Sequence, residues 1–245
     1  ITPKTSMKQL RENPSIKGSG LYTYVYIWER DCDLLRHSKD NDTMEQVIGT
    51  ESVNSCVAGM NYLIETYNAG TQITYKLFSP EEIAQDASRD RAELYYFPAE
   101  QPGAKYAVVL SGNALFYSGE MRGGVSTAWE PHQQGYAVFA LRYRIGLDAT
   151  DNAPLEDLGR AIQFITANAQ QFGVQTEDYA LVGYSSGGQI AGIFGGKELA
   201  ARGMPLYTSV CSSTSAHTGA ERLPPAVVQL WGSSRQMRTA IFGFS

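Results

Sequence analysis

The sequence predicts an α/β fold, a mainly parallel sheet flanked by helices, on three observations. Two runs, YAVVL (106–110) and YAVFAL (136–141), are apolar on both faces, as strands covered on two sides must be. Strand-like and helix-like segments alternate from about residue 106 to 203, the order that gives parallel pairing through crossover helices. The chain of 245 residues, 43% hydrophobic and 18% charged, can bury one large core of this kind.

Residues 1–70 are predicted to be an N-terminal extension, an arm and a helix, ahead of an α/β domain over 71–245 that turns atypical from about 206. RENPSIKGSG (11–20) has the proline and glycine content of a turn region. LYTYVYIWE (21–29) alternates as a strand or extended arm with one buried face would. Val47, Val53, Val57, Met60, Leu63 and Ile64 fall near helical spacing, and Asn68 with Gly70 supplies a stop, so a helix is predicted over 51–68.

TQITYKLFS (71–79) and AELYYFPA (92–99) are β-rich and flank the acidic, helix-compatible PEEIAQDASRDR (80–91). The strands at 106–110 and 136–141 are separated by a glycine-bearing loop and by STAWEPHQQG (126–135). The clearest helix lies between Asp151 and Gly173. Asp151 or Asn152 can cap it, Pro154 suits its first turn, and Glu156 and Asp157 favour its positive end. Leu155, Leu158, Ile162 and Ile165 mark its buried face. YALVGYS (179–185) is a further buried strand and SGGQIAGIFGGKELAARG (186–203) a further helix. There is no internal repeat.

Composition narrows the function classes. The formal charge is -5 and no lysine or arginine cluster tracks a phosphate backbone, which argues against a nucleic-acid partner. The three cysteines, Cys32, Cys56 and Cys211, are widely spaced with no CxxC, so neither a disulfide framework nor a zinc site is predicted. No metal or cofactor is predicted. No apolar stretch approaches the roughly 20 residues of a membrane span. The first residue is Ile1 rather than methionine, consistent with a removed export signal or a trimmed chain, so localisation stays open.

One motif carries chemistry. Gly183-Tyr184-Ser185-Ser186-Gly187 fits G-x-S-x-G, and only Ser185 has glycine two residues away on both sides. The spacing suits a strand that turns abruptly into a helix, where the serine takes a strained conformation and side chains at the flanking glycines would collide. Ser185 is the candidate nucleophile. The helix start directs the Ser186 N–H at a developing oxyanion.

With GYSSGGQIAG, YAVFALRYRI and DNAPLEDLGRAIQFITANAQQFGV in this order, the chain resembles the α/β-hydrolase superfamily, in its acetyl-esterase and hormone-sensitive-lipase-like branch, over about residues 70–205. In that branch the elbow commonly reads G-x-S-A-G-G, a strand ends in a tyrosine-arginine pair, and a Pro…Asp helix precedes the elbow strand. The matching residues here are Ser185, Tyr143 with Arg144, and Pro154 with Asp157, and Ser186 stands where the alanine is usual. The resemblance also implies a second oxyanion donor in the loop after YAVVL. The branch has HGGG there and this chain SGNALFYSGE, so only Gly112 remains of the glycine run. The N–H of Asn113 or Ala114 is the candidate donor, since no particular side chain is needed.

The superfamily places its triad in the order serine, acid, histidine. No aspartate follows Asp178; the later carboxylates are Glu198 and Glu221, and the later histidine is His217. Glu221 follows His217 and reverses the order, while Glu198 lies on the helix that leaves the nucleophile. His217 is the candidate base, against the alternative of a solvated loop histidine. His37 and His132 precede the serine, and His132 is expected at the surface or in helix packing. LPPAVVQLWGSS (223–234) resembles the branch's penultimate strand, but serine and arginine follow where an aspartate is expected. The fold is therefore expected to be incomplete at its C-terminus, shortened or altered after about 205 or part of a longer chain, with any acid and base beyond Trp231. The sheet edge so exposed would need covering, by a second copy or by the N-terminal arm.

Three readings stay open at this point. The first is a serine hydrolase acting on a carboxylic ester, with a small-molecule substrate; the branch implies small acyl esters, including those on carbohydrates. The second is a catalytically incomplete α/β-hydrolase fold acting as a binding or interaction module. The third is an acyltransferase using the same serine.

Overall fold

The computed structural model describes residues 1–21, 38–112, 115, 120–176, 179–201 and 227–230, with 196–201 and 227–230 as backbone only. The predicted arm at 21–29 lies, except for Leu21, outside the described residues.

Among the described residues, four helices occupy the N-terminal part: α1 (Met7–Glu12), α2 (Pro14–Ser19), α3 (Met44–Ile48) and α4 (Val53–Asn68). Residues 11–20, expected as a turn, are instead largely helical. Pro14 sits in the first turn of α2, where its missing N–H costs nothing, and the Asn13 side chain accepts from the Ser15 and Ile16 N–H groups. Gly20 ends the helix in the left-handed region, and Ile16 is fully buried. The predicted helix over 51–68 is found as α4, and Val53, Met60 and Leu63 are buried.

Six strands form one sheet among the described residues: β1 (Thr74–Lys76), β2 (Glu93–Phe97), β3 (Tyr106–Leu110), β4 (Ala137–Arg142), β5 (Ala180–Tyr184) and β6 (Val227–Leu230). Their order is β1-β2-β4-β3-β5-β6. The β1–β2 and β2–β4 pairs are antiparallel, and β4–β3, β3–β5 and β5–β6 are parallel. This is the predicted α/β class. The segment LPPAVVQL thus does contribute a strand, β6, beside the elbow strand.

Side-chain alternation divides the core in two. Tyr95, Phe97, Val109, Val138 and Val182 point to a layer shared with Met7, Leu10, Ile16, Met44, Met60 and Leu63 from the N-terminal helices. Leu94, Tyr96, Val108, Leu110, Phe139, Leu141 and Leu181 point the other way, against Leu158, Ala161, Ile165, Ile190 and Ala191. Both faces are covered, which explains the continuous apolar runs.

On the connections lie α5 (Pro80–Gln85), α6 (Ser126–Gln133), α7 (Ala153–Ala167), α8 (Ala169–Phe172) and α9 (Ser186–Ala201). The single helix expected between Asp151 and Gly173 is broken at Asn168 into α7 and α8. Neither Asp151 nor Asn152 caps it by its side chain. Both take left-handed backbone, φ 52° and 63°, and at the cap position Asn152 makes no side-chain bond. Its carbonyl accepts from Leu155 and Glu156 instead. Asp157, expected to favour the helix dipole, is fully buried and paired with Arg144. Among the described residues no helix is long and apolar enough to cross a membrane.

Candidate active site

Strands β3, β4 and β5 run parallel, so Ser111, Tyr143 and Ser185, the residues at their carboxyl ends, face the same edge of the sheet. There β5 stops at Tyr184 and α9 begins at Ser186. The one residue between them is Ser185, with φ +53°, a left-handed conformation that a non-glycine residue adopts at a cost of roughly 1–2 kcal/mol. Its side chain is half-buried rather than packed into the core. Gln189 N–H closes the first turn of α9 on the Ser185 carbonyl at 3.2 Å. The N–H groups of Ser186, Gly187 and Gly188 therefore belong to the helix start, where no carbonyl of the same helix lies in reach.

The flanking glycines are required by contact. A Cβ on Gly183 would lie 2.5 Å from the Gly187 carbonyl carbon and the Gly188 Cα, across the turn as expected. A Cβ on Gly187 would meet a different neighbour, the end of β3, at 2.8 Å from the Leu110 carbonyl carbon and closer still to the Leu110 and Ser111 oxygens. Gly112, the next residue of that loop, is pressed against the elbow. A Cβ there would come 2.5 Å from the Tyr184 carbonyl oxygen and 2.7 Å from the Ser185 Cβ.

Behind the elbow is a buried polar layer. The Ser111 hydroxyl donates to Glu120 Oε2 at 2.8 Å, and the Tyr143 hydroxyl donates to the Ser111 carbonyl at 2.6 Å. Ser111, Glu120, Tyr143 and Ser186 are each 5% exposed or less. Burial pushes the Tyr143 hydroxyl above its ordinary range, so it stays a donor.

One position further along, Arg144 ties the loop after β4 to α7. Its Nε lies 3.0 Å from Asp157 Oδ1 and its Nη2 2.8 Å from the same oxygen, while its own N–H donates to Oδ2 at 2.8 Å. Glu156 and the Ala153 carbonyl also accept from Nη2. The tyrosine-arginine pair and the Pro…Asp helix that follows it, with Arg144 and Asp157 13 residues apart, thus meet: Tyr143 under the elbow, Arg144 on Asp157.

Of the predicted site residues, the structure brings Ser185, Ser186, Gly183 and Gly187 together. Asn113, Ala114, His217 and Glu221 lie outside the described residues, and the Glu198 side chain is not described. His132 is in helix packing, its ring 4.3 Å from that of Tyr62 and 5.3 Å from that of Trp129. Cys56 is a free, buried thiol. Among the described residues no three His, Cys, Asp or Glu side chains gather as a metal site. Sequence reading missed Glu120 and Ser111, because a single carboxylate within LFYSGEMRGG carries no periodicity that marks it as buried.

Residues 93–233 match the BD-FAE family. Solved structures to which the chain is similar include a sugar hydrolase from Lactococcus lactis at 22% identity and TM-score 0.40, with 43% of this chain and 44% of that one covered. Another is an acetyl ester-xyloside bifunctional hydrolase from Caldicellulosiruptor lactoaceticus, at 18% identity and TM-score 0.45, covering 51% of this chain and 46% of that one. A third is an alpha/beta hydrolase enzyme from a Medee basin deep-sea metagenome library, at 24% identity and TM-score 0.37, covering 41% and 43%. The chain thus spans less than half the length of each of these proteins. No curated protein sequence matches it significantly.

Proposed function

The chain belongs to the BD-FAE family, whose members are esterase- and hydrolase-type α/β-hydrolases, and we propose that it cleaves a carboxylic ester through an acyl-enzyme on Ser185. Ser185 Oγ attacks the ester carbonyl carbon and gives its proton to a general base, for which His217 is the candidate. The carbonyl oxygen takes up the negative charge facing the Ser186 N–H and the N–H of Asn113 or Ala114. The C–O bond to the alcohol breaks, the base returns its proton to the departing alcohol, and water then releases the acyl group by the same route in reverse. One donor of such an oxyanion hole is worth on the order of 10²–10³ in kcat.

The observation that carries this reading is the half-buried Ser185 at φ +53°, held at the carboxyl edge of the sheet by glycines whose Cβ positions are already occupied. A turn built only to pack a helix on a sheet has no need of a strained serine in that place. Small acyl esters, including those carried by carbohydrates, are the proposed substrates.

Hydrolysis of p-nitrophenyl acetate by the wild-type protein and its loss in folded Ser185→Ala test the proposal. Turnover that survives the substitution contradicts it. Folded wild-type protein with no turnover supports the other class, a binding module on the same fold.

A further inference from the structure

We propose that Glu120 is a positioning residue for the proposed ester hydrolysis, holding Ser111 so that the backbone at Gly112 is fixed against Ser185. The inference rests on Ser185 being the nucleophile.

A chain of contacts leads from Glu120 through Ser111 and Gly112 to the elbow. Its carboxylate, 3% exposed, accepts from Ser111 Oγ at 2.8 Å and so joins the first and last residues of the stretch 111–120. Ser111 is held a second time through its carbonyl, which accepts from the Tyr143 hydroxyl at 2.6 Å. The next residue, Gly112, is so close to Tyr184 and Ser185 that a methyl group could not be inserted. The turn that Glu120 opens also packs back on this pair: a Cβ on Gly123 would stand 3.4 Å from both the Gly112 nitrogen and the Ser111 Cβ.

A carboxylate is an expensive way to fill space inside a protein, and it is tolerated when its hydrogen bonds are strong and directional. Its negative charge has the wrong sign to stabilise an oxyanion. Its contribution therefore lies in placement, which sets how well the adjoining N–H groups are aimed before the reaction begins.

The test compares Glu120→Ala and Glu120→Gln with wild type in p-nitrophenyl acetate hydrolysis, in the rate of fluorophosphonate labelling, and in thermal unfolding. Folded Glu120→Ala is expected to lose roughly 10–100-fold in kcat and in labelling rate with KM changed less than about 2-fold. Glu120→Gln keeps an acceptor for Ser111 Oγ and should recover most of the loss. Should Glu120→Ala fail to fold, Ser111→Ala, which removes the hydroxyl that Glu120 holds, takes its place and is expected to lower kcat and the labelling rate with KM little changed. A folded Glu120→Ala with wild-type kcat, or in its place a folded Ser111→Ala with wild-type kcat, overturns the inference. If wild type is labelled and active while the Glu120 variants match it, only this inference falls. If folded wild type is neither labelled nor active, the Ser185 reading falls and takes this one with it.

Discussion

The carbonyl oxygen of Ser111 occupies the space that a Cβ on Gly187 would need. The elbow is therefore formed by two strands: β5 delivers the serine, and the end of β3 closes off the far side of the turn. Neither backbone can retreat without disturbing the parallel β3–β5 ladder, where Leu110 pairs with Gly183.

Gly187→Ala is expected to destabilise the protein by about 2–4 kcal/mol and to abolish turnover, because the new methyl meets backbone rather than a flexible side chain. Gly159→Ala is the control. In α7 its Cβ would lie 3.4 Å from Phe194, an ordinary contact, and the change should be neutral or stabilising by up to about 1 kcal/mol. Urea unfolding of both variants checks the contrast.

Backbone strain at Ser185 predicts an order of stability among inactive variants. Glycine tolerates φ +53° and alanine does not. Ser185→Gly should therefore be more stable than Ser185→Ala by about 1 kcal/mol in equilibrium unfolding, the reverse of their usual order within regular structure. Equal stabilities would mean that the elbow is relaxed.

Arg144 and Asp157 form a buried ion pair, 3% and 0% exposed. Removing one partner leaves a buried charge without compensation, so Arg144→Ala should cost about 3–5 kcal/mol. In a double-mutant cycle the loss should be strongly non-additive with Asp157→Ala. Simple addition of the two losses would contradict the pairing.

Much of this fold is legible in the sequence because its signals are local. Val108 and Val109 point to opposite sides of the sheet and are both buried, so their run needs no partner to be recognised. The G-x-S-x-G spacing likewise follows from one tight turn. What sequence leaves hidden is set by tertiary contact. Asn13 and Pro14 read as a turn, yet they start a helix that Ile16 anchors in the core. Asp157 reads as a helix-dipole residue until Arg144, folded in from the end of β4, takes it as a partner. Glu120 has no pattern around it at all; only its hydrogen bond with Ser111, nine residues away, brings it to the end of β3.

His132 predicts a pH dependence. Packed among Tyr62, Trp129 and Phe97, its imidazole is held by burial below its ordinary value near 6.5. As the pH falls through that value, the unfolded chain takes up the proton before the folded one does, and stability is lost. His132→Phe keeps the ring contacts and removes the proton site. Its stability relative to wild type should therefore rise between pH 7.5 and about 5.5 in urea unfolding. A difference that stays constant across that range would contradict the assignment.

Most direct of all is the position of a covalent adduct. After reaction of the folded protein with a fluorophosphonate, peptide mass spectrometry is expected to find one modified site, the Ser185 hydroxyl. An adduct on Ser186 or elsewhere, or none in folded protein, would contradict the assignment of Ser185 as nucleophile.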